Sequence, residues 1–209
     1  MSPRHLLALV LALLAGACSS IAPERPVRAT AYDFGVAPPA AAASSPQQPA
    51  IVLADPIASG ALDTSALLYR LAYADAHELL PYAHARWSAP PARLVRQRLR
   101  EILGRGRPVL DSAESAGLAR TAGTLPRTLR VDVEEFSQVF ETPAQSFGVL
   151  RWRATVMENL PAGERLVGQH VFVQRQPAPS ADAPGGVQAL TTATDAAARD
   201  LAAWLAQLR

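Results

Sequence analysis

Cys18 is the only cysteine in the chain, so no internal disulfide can hold this fold together and packing alone must supply its stability. Its position is as informative as its isolation. Arg4 and His5 form a short basic stretch, and Leu6 to Ala15 is an unbroken apolar run. That run is well short of the roughly 20 residues that a membrane-spanning helix needs, and it suits the apolar region of an export signal. The junction reads Leu14-Ala15-Gly16-Ala17-Cys18. Small residues before a cysteine are what a lipoprotein signal peptidase requires, although Leu would be commoner where Ala15 stands. The sequence therefore predicts a signal peptide over 1–17, cleavage between Ala17 and Cys18, and lipidation of Cys18. The alternative is an ordinary secretory signal beside an incidental cysteine.

Residues 18–28 are polar and Pro-containing and read as a lipidated tether, leaving 29–209 for a single domain. Every one of the 20 basic residues is arginine, set against 18 acidic residues in an interspersed pattern. No basic stripe of the kind nucleic-acid binders carry is visible, so nucleic acid is not an expected partner.

Ala29 to Val36 reads as a first strand with Tyr32 and Phe34 on one face. Residues 37–49 (APPAAAASSPQQP) hold nothing larger than alanine to bury and are predicted to be a mobile loop. A strand follows at Ala50 to Ala54. Residues 66–74 and 78–87 pair as a hairpin, with Pro81 implying an edge or a bulge. A helix begins near Ala89, with Ser88 as N-cap and Pro90-Pro91 in its first turn. Leu94, Val95, Leu99, Ile102 and Leu103 fall on one face of it, and Gly104 and Gly106 stop it. A weaker region over 107–125 holds a short strand at Val109-Leu110 and a helical turn around Glu114 to Arg120.

Three strands then alternate: Thr128 to Phe136, Phe147 to Glu158 and Leu166 to Gln174. Glu134-Glu135 followed by Phe136 breaks the alternation of the first, which predicts a bulge. After a Pro/Gly/Ser segment over 177–186, an apolar stripe from Leu190 through Ala197, Leu201, Trp204, Leu205 and Leu208 marks the last helix. Together these elements predict an α+β fold: a two-layer sandwich, with an antiparallel-rich sheet and amphipathic helices packed on one face.

No catalytic constellation emerges. His77, His84 and His170 lack metal-site spacing, and there is no nucleophile elbow, phosphate-binding loop or dinucleotide fingerprint. Asp132, Glu134 and Glu135 read as a solvated strand face rather than paired acids. The expectation is a non-enzymatic protein with no cofactor, no metal and no catalytic residue. The segment with most character runs from Tyr69 to Pro91, where Tyr69, Arg70, Tyr82, Arg86 and Trp87 gather ahead of a helix start. Aromatic and arginine side chains dominate interface hot spots, so these five are candidate partner-binding residues. Tyrosines and Trp87 filling the sheet–helix core is an equally open reading.

That segment, with Cys18, the stretch Tyr32 to Gly35, Pro90-Pro91 and Trp204-Leu205, resembles the ABC-type transport auxiliary lipoprotein family. These are paraquat-inducible protein C-like lipoproteins associated with mammalian-cell-entry (MCE) lipid-transport systems. The resemblance implies a periplasm-facing protein, lipid-anchored in the outer membrane through acylated Cys18. Its implied partners are an MCE-domain protein and the associated ABC permease and ATPase, with direct binding of lipid left open. Ser19, where inner-membrane lipoproteins typically carry Asp, points to the outer membrane too. The rival reading is an outer-membrane assembly or secretion-system scaffold without a lipid substrate.

Overall fold

The computed structural model describes residues 28–36, 48–58, 60–115, 117, 125–160 and 162–208. The expected signal peptide, Cys18, nearly all of the tether and residues 37–47 of the expected loop lie outside the described residues. The elements run β1 (Thr30–Tyr32), β2 (Ile51–Leu53), β3 (Ile57–Ala58), a 3-10 turn (Gly60–Leu62), β4 (Ala66–Leu71) and β5 (Asp75–Trp87). They continue with α1 (Pro91–Leu103), β6 (Val109–Leu110), β7 (Arg127–Thr142), β8 (Gln145–Leu160), β9 (Gly163–Pro177) and α2 (Ala183–Gln207).

The strictly alternating stretch builds the frame. β7, β8 and β9 form an antiparallel meander, with Leu129, Val131 and Val133 beside Leu150, Trp152, Ala154 and Val156 on the buried face. The expected bulge is present: the β7–β8 register slips between Val133 and Glu135, which returns Phe136 to the core side. Along the other edge of β7, three short strands line up in series, β2 beside Arg127–Leu129, β3 beside Asp132–Val133 and β4 beside Gln138–Phe140.

All three of those contacts are parallel, as are β1 with β5 and β2 with β6. The α+β class therefore holds, but the sheet is mixed and mostly parallel by pairings, not antiparallel-rich. The physical reason is that β2, β3 and β4 each return to β7 over a long connection, and such a return is what parallel pairing needs. Among the described residues only the β4–β5 hairpin and the meander are antiparallel.

Pro81 sits in β5 beyond the short reach of β1, which pairs only with Ala85–Trp87, so its missing N–H costs no ladder bond there. α1 starts with Pro90 at its cap and no side-chain cap bond; Ser88 instead donates its backbone N–H to Tyr32 O at 2.7 Å. Ser88 is therefore not the N-cap. α2 begins earlier than expected, at Ala183, because the Asp182 carboxylate accepts from Gly185 N at 2.9 Å. It lies over β8 at Gly148, where an added Cβ would come within 2.6 Å of the Ala189 and Leu190 backbone. Both helices share one hydrophobic core with the sheet, including Leu94, Val95, Leu99 and Ile102 from α1 and Leu190, Ala197, Leu201 and Leu205 from α2.

Candidate partner-binding site

The five candidate residues do not form one surface. Trp87 is 1% exposed, its ring 5.5 Å from both Phe34 and Phe136, so it belongs to the core. Trp87 is therefore not a partner contact; alternation along β5 sends it and exposed Arg86 to opposite faces. The Tyr69 and Tyr82 rings pack tilted against each other, centroids 4.7 Å apart, on the helix side and half-buried. The Tyr82 hydroxyl donates to buried Gln138 Oε1 at 2.8 Å, and Gln138 Nε2 donates to Ser146 Oγ at 2.8 Å. Burial, helped by neighbouring Tyr69 and Asp182, pushes the Tyr82 phenol well above its ordinary range. Tyr82 is thereby tied to Gln138, whose side chain lies against Gly186 near the start of α2.

Arg70, one residue on, points to the other face and pairs with Glu135 at 3.2 Å, while also donating to His77 O at 3.3 Å. Arg86 is exposed at the end of β5, between Ala31 and Ala66. Of the five, Arg86 and the partly exposed Arg70 remain open to a partner.

The face carrying Arg70 is a field of compensated charge. Glu134 receives Arg151 at 2.6 Å and Arg153 at 2.8 Å, and Arg130 holds Glu164 at 2.8 Å. Arg165 pairs with Glu158, and Arg175 with Glu141. The hydrogen bond from Arg151 is the main reason the Glu134 carboxyl is held below its usual range. This is the solvated strand face expected of Asp132, Glu134 and Glu135. His77, His84 and His170 are all exposed, and among the described residues no group of three or more His, Cys, Asp or Glu could hold a metal ion.

Sequence reasoning missed the most consequential charge, Arg98. It is 2% exposed within α1, and its guanidinium donates to the Phe34 and Gly35 carbonyls. It also lies 3.3 Å from Asp195 of α2 and 3.5 Å from Glu101. Burial raises the Asp195 carboxyl above its ordinary range, against the opposing pull of Arg98. The signal was available: Arg98 interrupts the stripe Leu94, Val95, Leu99, Ile102 on its apolar side. Phe34 and Gly35 belong to the Tyr32–Gly35 stretch, so a buried cation explains why that stretch has its shape. Gly35 itself needs φ of 59°, which a residue with a Cβ adopts only at a cost.

The model of the ABC-type transport auxiliary lipoprotein component matches residues 32–202, from β1 into the last turns of α2. The chain belongs to that family. This auxiliary lipoprotein has the fold of a crystallised Xanthomonas campestris protein of the DUF330 family model, at 17% identity and TM-score 0.64. The superposition covers 86% of this chain and 91% of the other. A second crystal structure, of an uncharacterized protein, matches at 12% identity and TM-score 0.60, covering 85% of this chain and 99% of that one. At such identities the likeness shows the fold alone. No curated protein matches the auxiliary lipoprotein in sequence. Among the described residues no helix is long and apolar enough to cross a membrane.

Proposed function

We propose that this auxiliary lipoprotein is a non-enzymatic accessory component of an ABC/MCE-type intermembrane lipid transport system. It is held in the outer membrane by acylated Cys18 and faces the periplasm. The observation that supports this reading best is the extent of the family match. It spans nearly all of the folded body rather than the anchor, which supports an auxiliary role carried by the α+β domain. The body then offers Arg86 and Arg70 on an uncovered sheet face, where an MCE-domain protein docks and keeps the transport assembly in contact with the outer membrane.

Two measurements test this. Cys18→Ser removes the acylated thiol, and loss of two acyl chains or more removes stable attachment, at about 0.8 kcal/mol per buried CH₂. The variant is expected in the soluble periplasmic fraction or as an uncleaved precursor; an unmodified Cys18 in the native N-terminal peptide contradicts the anchor. Arg86→Ala is expected to reduce co-purification with the MCE protein encoded beside this gene by roughly thirtyfold, the effect of losing a central contact of about 2 kcal/mol. Because Arg86 is exposed and has no ion pair among the described residues, circular dichroism of the variant should match wild type. Failure of the wild type to bind that MCE protein would favour a scaffold lipoprotein without a lipid substrate.

A further inference from the structure

β9 is bonded to β8 along one edge only, and among the described residues nothing pairs with its other edge over the 15 residues from Gly163 to Pro177. A row of open N–H and C=O groups of that length is a template for another strand. Its side chains are arranged in a self-complementary order. The two exposed large apolar residues of β9 are Leu166, 59% exposed, and Val173, 57% exposed. Simple alternation would put residues 166 and 173 on opposite faces, but a bulge intervenes. The register steps from Val156–Gly168 to Met157–Leu166, which leaves Val167 as the extra residue. Leu166 thus lies opposite Met157 and Val173 opposite Arg151, so both are on the face away from the helices.

We propose that β9 pairs antiparallel with β9 of a second copy of this chain about a two-fold axis at His170. With His170 opposite itself, each Val173 meets the other copy's bulge and packs on its Leu166. Beyond the bulge the faces are again in step, and Glu164 stands opposite Arg175. Both apolar residues are covered, and the charges that meet across the interface are opposite in sign. Glu164 already holds Arg130, and Arg175 already holds Glu141. The contact extends these pairs into one alternating chain, Arg130–Glu164–Arg175–Glu141, repeated by symmetry. On the helix side, the His170 ring rests 4.6 Å from Phe172 and 5.9 Å from Trp204. The groove of about 470 Å³ that His170 and Trp204 help to line becomes a shared space between the two copies. This interface goes beyond the transport role and does not depend on which system the protein serves.

Directly opposed residues of an antiparallel pair have Cβ atoms roughly 4.5–5.5 Å apart, close enough for a disulfide to form after a small adjustment. The test is oxidative cross-linking of the full chain in membranes, where Cys18 is the only native cysteine. His170→Cys is expected to give a covalent dimer, and Thr192→Cys, exposed on α2, is expected to give none. In the His170→Cys background, Val173→Arg, Glu164→Arg and Arg175→Glu should each lower the cross-linked fraction, Val173→Arg by about tenfold or more. The double change Glu164→Arg with Arg175→Glu should restore it. Circular dichroism confirms that each variant is folded. Equal cross-linking at residues 170 and 192 overturns the proposal. So does undiminished cross-linking with Val173→Arg, or a double charge reversal that recovers nothing over the single ones.

Discussion

Arg98→Ala is expected to destabilise the domain by about 3–5 kcal/mol, the usual result of removing one partner from a buried ion pair. The loss has three parts. The Phe34 and Gly35 carbonyls lose their donor, Asp195 on α2 is left as a carboxylate with 12% side-chain exposure, and the helix-to-helix contact loses its charge link. The pH dependence has a definite sign. Burial already raises the Asp195 carboxyl above its unfolded value, and Arg98 is the main influence pulling it back. Without Arg98 it rises further. A carboxyl with a raised folded pKa contributes a penalty that is absent below its unfolded pKa, about 3.9, grows as pH climbs from there towards the folded value, and is constant above it. The Arg98→Ala defect in urea unfolding should therefore be smaller near pH 4 than at pH 7. Asp195→Asn should remove most of that difference. A defect independent of pH would mean that the lost carbonyl contacts, not the stranded carboxylate, dominate.

Trp152→Ala is expected to have an effect of similar size. The side chain is 0% exposed at the middle of β8, flanked by Val133 on β7 and Phe172 on β9, in the cluster that also holds Leu201 of α2. Truncating a buried tryptophan removes transfer energy and leaves a cavity that the surrounding strands cannot close, at about 3–5 kcal/mol. Among the described residues its indole N–H has no hydrogen-bond partner, so the indole acts here as bulk rather than as a polar contact. Trp152→Phe should accordingly keep most of the stability. The midpoint of denaturant unfolding measures both variants. A Phe variant as unstable as the Ala variant would point to a polar role for the indole nitrogen.

Local chemistry made parts of this structure legible in advance. The proline pair and the apolar stripe located α1, the doubled acid located the β7 bulge, and alternation located the long strands of the meander. What local pattern could not supply was partnership over long separations. β2 and β3 are 3 and 2 residues long, and nothing in so short a run says that β7, some 75 residues on, is its neighbour. The candidate site suffered for the same reason. Tyr69, Arg70, Tyr82, Arg86 and Trp87 are close in sequence, but strand alternation and the irregular β4–β5 register distribute them over two faces and the core. Arg98 was passed over because an arginine in a helix ordinarily belongs to the wet side; only the packed α1–α2 contact reveals where its guanidinium ends.

The grip of Arg98 on Phe34 and Gly35 also has a mechanical meaning. A body anchored through Cys18 and docked on a partner, as proposed above, would feel any separation of the two as tension on β1. That strand runs parallel to β5, with Thr30, Ala31 and Tyr32 alongside Ala85, Arg86 and Trp87. Tension along the strand axis therefore loads these rungs together in shear rather than peeling them one by one. Immediately downstream, the ring of Phe34 is clasped by Trp87 and Phe136, and its carbonyl is held by a guanidinium that also engages Asp195. Through Arg98 and Asp195, load on the first strand is thus shared with both α1 and α2 rather than carried by β1 alone.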